Sequence, residues 1–151
     1  KIPTSVSSPF LNTPEPSTGE LKQLDKALLS FGVDIAIDDI SGDFLIGTGG
    51  DLKYQYGLNN VRQTIKIMLE TERGQLPLHP NFGLGNNIGN TFSGDTTTKI
   101  ASLVEQTIRQ DLRFTSVTLK DITVSANNKI GITALVTIAG SNQLIPLAFV
   151  I

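Results

Sequence analysis

Cysteine and tryptophan are both absent from this 151-residue chain, and methionine and histidine occur once each. Without cysteine there is no disulfide framework and no thiolate zinc site, which fits a protein made and used in a reducing compartment. Charge of one sign is missing too, since 12 Lys and Arg stand against 14 Asp and Glu for a net charge of -2. With no basic stripe, sequence-independent binding to nucleic acid is a poor explanation of the chain. No apolar run approaches the roughly 20 residues that cross a bilayer. The first residues also lack the basic start and apolar stretch of a secretory signal. A soluble intracellular product with no membrane and no nucleic-acid partner is the expectation. Nothing repeats at a period of roughly 20–50 residues, so a solenoid is disfavoured.

What is there suffices for one compact domain with a hydrophobic core. Residues 1–19, "KIPTSVSSPFLNTPEPSTG", hold Pro3, Pro9, Pro14 and Pro16 among many Ser and Thr. Proline fixes φ and removes a donor, so this segment reads as an extended arm without a core of its own. Phe10 and Leu11 read as apolar anchors for docking onto either this domain or a neighbour, and the arm is expected to order on assembly. Residues 20–151 form the domain.

The domain opens with "GELKQLDKALLSFG", where Leu21, Leu24, Leu28 and Leu29 recur at helical spacing and Gly32 closes the helix. In "VDIAIDD", Val33, Ile35 and Ile37 alternate with polar residues, the period-2 mark of a half-buried strand. An extended, glycine-interrupted stretch follows, up to Gly57. The strongest helix signal is "GLNNVRQTIKIMLETERG": Leu58, Val61, Ile65, Met68 and Leu69 share a face, Asn59 or Asn60 serves as N-cap, and Gly74 ends it. After a Gly/Asn-rich connector, a further helix begins at Asp95 and runs through Ile100, Leu103, Val104 and Ile108 to about Asp111.

The remainder reads as strands. "TSVTLKDITVS" puts Val117 and Leu119 on one parity but Ile122 and Val124 on the other, which predicts a bulge near Lys120-Asp121. Asn127-Asn128 makes a turn, and Ile130, Ile132, Ala134, Val136 and Ile138 alternate cleanly beyond it. Gly140-Ser141-Asn142 turns again before "QLIPLAFVI", where Pro146 cannot donate to a ladder and so places the strand at an edge or a bulge. The fold class is α+β: two to three helices packed on a three-stranded antiparallel meander, with an extended N-terminal arm.

Residues able to carry chemistry are few. His79, in "LPLHPNFGLGNNIG", is the single imidazole, with no cysteine and no G-x-S-x-G elbow to serve. Pro77 and Pro80 make its segment a stiff connector, and that reading is preferred. Glu70 with Glu72, and Glu105 with Asp111, are the carboxylate pairs a glycosidase would need. They lie near Arg73, Arg109 and Arg113, which favours ion pairs over the raised pKa of a general acid. Asp34, Asp38, Asp39 and Asp43 lack the spacing of a calcium loop, and "GTGG" lacks the G-K-[ST] of a phosphate cradle. No catalytic, cofactor or metal residue is therefore assigned. In "RQDLRF", Arg109 sits in a last helical turn where a cation offsets the dipole. Arg113, between Leu112 and Phe114, is placed to brace a carbonyl or carboxylate across a helix–strand corner.

In their order, these pieces resemble a known family. "GDLKYQYGLNNVRQTIKIMLETERGQLPLHPNFG", a helix, "DLRF" and a three-strand meander are similar to the gene-product-25-like baseplate family of contractile-tailed bacteriophages. The resemblance spans about residues 50–150. It rests on a helix of the type N-[IV]-x-Q-x-I-x-x-[ML]-L, the G-x-L-x-x-x-P-x-F-G loop after it, and an acidic-x-Arg element. That element falls on Asp111-Leu112-Arg113, with Leu112 where the family often has proline and Asp111 in place of glutamate; with Phe114 these residues form the candidate structural or interface motif.

The resemblance implies a non-enzymatic wedge protein of the virion tail baseplate, made in the host cytoplasm, that starts polymerisation of the tail sheath. Its implied partners are the tail sheath protein and other baseplate wedge and hub proteins; no cofactor is implied. Open edges of a small sheet template further strands, so arms of a sheath subunit would dock by β-augmentation. The candidate docking strand comprises Leu144, Ile145, Leu147, Phe149 and Ile151, whose dense apolar pattern suits burial on both faces after assembly. The alternatives are a lysozyme-like peptidoglycan-cleaving enzyme, a label members of this family have carried, and a generic interaction domain.

Overall fold

The computed structural model describes residues 18–84, 96–125 and 129–150. Helix α1 spans Thr18–Leu28 and tightens into a 3-10 turn at Leu29–Phe31. Strands β1 (Val33–Ile35) and β2 (Tyr54–Tyr56) form a small antiparallel ladder. Helix α2 (Gly57–Glu70) and helix α3 (Thr96–Ile108) follow. Strands β3 (Phe114–Val124), β4 (Ile130–Ile138) and β5 (Ile145–Val150) make an antiparallel sheet in the order β3-β4-β5. The α+β meander expected from periodicity is the observed architecture.

The core lies where the helical stripes meet one face of this sheet. Val61, Ile65 and Met68 of α2 pack with Ile100, Val104 and Ile108 of α3 and with Ile130, Ile132, Val136 and Ile138 of β4. Alternation on β4 decides which side chains face in, because successive residues point to opposite faces. Each such aliphatic side chain contributes about 1.5–3 kcal/mol on burial. On β5 the same rule sends Ile145, Leu147 and Phe149 inward and leaves Pro146, Ala148 and Val150 exposed.

The expected bulge is present. Leu119 pairs with Ala134 and Asp121 with Thr133, so Lys120 is the extra residue that swaps the parity of β3. A second register shift, between Phe114 and Ser116, left no parity signal in the sequence. The expected turn at Asn127-Asn128, residues 1–17 of the arm, the Asp95 cap and Ile151 lie outside the described residues.

Three local readings are corrected. Leu29 is 79% exposed while Phe31 is buried, because the 3-10 turn advances by three residues per turn and shifts the helical phase. Val33 is exposed and Ala36 is buried instead; β1 is only three residues long, too short for alternation to hold beyond it. Asn60 is not a cap. The helix begins at Gly57 after Tyr56, Asn60 lies inside it, and its end comes at Thr71 rather than Gly74.

Candidate interaction site

The corner between α3 and β3 is built by Asp111-Leu112-Arg113-Phe114. The Asp111 carboxylate accepts the Arg113 backbone N–H at 2.9 Å, accepts Nε at 3.0 Å on either oxygen, and accepts Nη2 on Oδ2. Phe114 N–H donates to the Asp111 carbonyl at 3.0 Å, and the Arg113 carbonyl accepts Ala139 N–H at 2.8 Å. These bonds turn the chain from the end of α3 at Ile108 into the start of β3 at Phe114. Burial alone would raise the Asp111 carboxyl, but the side-chain and backbone hydrogen bonds from Arg113 outweigh it and hold the group below its ordinary value. The same pair raises the Arg113 guanidinium, chiefly through its hydrogen bond to Asp111 and against the effect of burial.

The guanidinium also stacks. Its Cζ lies 4.4 Å from the centroid of the Phe31 ring, a cation–π contact that ties the corner to the end of α1. Phe31 in turn packs on Phe114 with centroids 5.3 Å apart and planes tilted by 54°. So Arg113 braces a carboxylate, as its position between two apolar residues suggested. Leu112 is 90% exposed. The corner thus presents one large apolar side chain to solvent from a rigid base.

Two side chains, one of them expected as a cap and the other not singled out in the sequence, fasten α2 to the preceding segment. Asn60 Nδ2 donates to the Phe31 carbonyl at 3.0 Å and the Gly32 carbonyl at 3.2 Å. Gln63 Nε2 donates to the Ile35 carbonyl at 2.8 Å, and its Oε1 accepts Ile37 N–H at 2.9 Å. One amide side chain therefore satisfies a donor and an acceptor of neighbouring backbone as another strand would. The readable signal was a pair of amides at i and i+3 beside an apolar stripe, inside the very motif that carries the family resemblance.

The "GQLPLHPNFG" loop closes on the helix it leaves. Leu84 N–H donates to the Thr71 carbonyl at 2.8 Å, and Arg73 N–H to the Leu84 carbonyl at 2.9 Å. Gly83 sits at φ +99°, and a Cβ there would fall 2.3 Å from the Thr71 carbonyl oxygen. His79 is exposed in the turns between Leu76 and Phe82, consistent with a shaped connector. The carboxylates of the enzyme reading are differently occupied. Glu70 lies 3.8 Å from Lys66, Glu105 accepts the Leu119 N–H at 3.5 Å, and Asp111 is held in the direction opposite to that of a general acid.

The docking-strand residues are divided by the sheet. Ile145, Leu147 and Phe149 belong to this chain's own core, whereas Leu144, just before β5, is exposed and Ile151 lies outside the described residues. β5 is an edge strand, as Pro146 indicated, with an uninterrupted register from Ile145 opposite Val136 to Val150 opposite Gly131. Along its C-terminal half runs a groove of about 320 Å³, lined by Ala148, Phe149 and Val150 on one side and by Gln55, Asn59, Arg62, Lys66 and the acidic Asp39 on the other. Residues of both parities line it, as expected of a sheet edge rather than a sheet face.

The model for contractile injection system sheath initiators matches residues 33–140. Among solved structures, the chain resembles a Geobacter sulfurreducens protein given the provisional description of tail lysozyme, at 20% identity and a TM-score of 0.43, over 64% of this chain and 91% of that one. A search of curated proteins returns no match.

Proposed function

This chain belongs to the family of contractile injection system sheath initiators, and from that premise we propose that it nucleates the tail sheath by lending the open edge of β5 to an extended arm of a sheath subunit. The single observation that carries this reading is the difference between the two edges of the sheet. β3 is interrupted by two register shifts, and bulges twist an edge away from further pairing. β5 keeps an unbroken register over its six residues, which leaves a straight row of backbone groups for a strand to join. Pro146 removes one donor from that row. This limits promiscuous edge-to-edge pairing and leaves the 147–150 stretch as the docking segment.

In this reading the protein is a structural part of the tail baseplate, its partners are the sheath protein and neighbouring baseplate components, and the Asp111–Phe114 corner with its projecting Leu112 faces one of those neighbours. Burial on one face of β5 is complete within the chain itself, so assembly would cover the edge and the Ala148–Val150 surface.

Deleting the last strand cannot test this, because Ile145, Leu147 and Phe149 are core residues. Ala148→Lys with Val150→Lys places charge on the exposed positions and spares the core. Sheath assembly on the variant should fail while its thermal unfolding stays near that of the parent. Normal sheath assembly on the folded variant would refute the β5 reading.

A further inference from the structure

The groove beside β5 is not electrically neutral, and its cations are not equally engaged. Lys66 Nζ donates to the Asp39 carbonyl at 2.7 Å, lies 3.2 Å from the Asp39 carboxylate and 3.8 Å from Glu70. Its charge is matched within the chain. Arg62, one helical turn earlier on α2, is exposed and among the described residues has no acidic partner within ion-pair distance. It lines the groove together with Asn59 and Gln55, and Gln55 Nε2 donates to the Asn59 carbonyl at 2.8 Å, which fixes that wall.

A strand laid along β5 would pass between that wall and the Ala148–Val150 backbone. Alternate side chains of such a strand point to opposite faces, so every second one reaches toward α2. A guanidinium there offers a planar fork of donors that matches a carboxylate. We propose that the strand received by β5 carries an acidic side chain where it passes Arg62, so that the groove selects its partner by charge as well as by backbone pairing. This rests on β5 being the receiving edge. It assigns Arg62 as the residue that sets specificity and an acidic extended segment as the ligand class.

The chain's net charge of -2 sharpens the test. Long-range attraction favours a basic peptide, so a preference for an acidic one must arise locally. Two synthetic β-forming peptides of the same sequence, one with Glu and one with Lys at alternate positions, are titrated against the full chain. Hydrogen exchange is followed at those β5 amides that exchange freely in the chain alone. The Glu peptide should protect these amides and bind roughly three-fold more tightly at low salt, the scale of an exposed ion pair. Raising the ionic strength should abolish the difference, and Arg62→Gln should abolish it or reverse it in favour of the Lys peptide. Equal binding of the two peptides with β5 protected overturns the charge selection and leaves the edge reading standing. Tighter binding of the Lys peptide also overturns it. Protection of β5 by neither peptide overturns both.

Discussion

Replacing Gln63 removes both side-chain hydrogen bonds that fasten α2 to the end of β1 and the chain just beyond it, namely those to the Ile35 carbonyl and from the Ile37 N–H. Each is worth about 1 kcal/mol net, and stranding the buried partner adds to the loss. Ile35 and Ile37 are only partly buried, so water recovers some of that second cost. The expected destabilisation is therefore about 2 kcal/mol, or roughly a 30-fold change in the folding equilibrium. Gln63→Met keeps the length and most of the packing of the side chain while deleting both bonds, which separates hydrogen bonding from volume. Urea unfolding of the full chain should shift to a midpoint lower by on the order of 1 M, given a slope of about 2 kcal/mol/M for a small domain. Hydrogen exchange at Ile37 should accelerate more than at core amides of β4, because the loosened segment opens locally before the whole domain does. A Gln63→Met variant within about 0.5 kcal/mol of the parent, with Ile37 exchange unchanged, would refute the clamp; surface substitutions fall within that band.

Two further outcomes follow from the same geometry. Asp111 is held below its ordinary value of 3.8 by Arg113, so its stabilising effect is complete above that value and fades as pH falls through the lower folded one. Asp111→Asn should accordingly cost about 1 kcal/mol at neutral pH and cost progressively less in acid, as shown by paired denaturation curves; a gap that does not change with pH would contradict the pairing. Gly83→Ala places a methyl group against the Thr71 carbonyl at a positive φ, so it should break the Leu84–Thr71 closure and cost at least 1–3 kcal/mol, with faster proteolysis between Glu72 and Leu84 as the local readout. Unchanged proteolysis there would show that the closure does not depend on glycine.

Long, strongly periodic elements were legible in the sequence because their burial repeats. α2, α3 and β4 each bury enough successive positions for the period to show, and the parity switch on β3 disclosed its bulge at Lys120. Pro146 disclosed the edge, since a missing donor is intolerable in a central strand. Where elements are short, periodicity carries little. β1 has three residues, and Ala36 rather than Val33 turned inward. Asn60 was misread because asparagine near a helix start has the same appearance whether it caps the helix or binds another segment; only the tertiary contact with Phe31 and Gly32 separates the two. At the candidate site, the apolar neighbours of Arg113 suggest a brace to a carbonyl or a carboxylate, and the side chain holds the Asp111 carboxylate. The groove against Arg62 was not legible, because it joins α2 to β5 across more than 80 intervening residues that no local pattern links.

Whether the free edge of β5 receives a strand from the sheath is decided by a reconstruction of the assembled tail at side-chain resolution. Continuous density for a fourth strand is expected, hydrogen-bonded along Leu147–Val150, with an acidic side chain of that strand beside Arg62. A first sheath ring seated on β3, or on the Asp111–Phe114 corner with the β5 edge left bare, would contradict it.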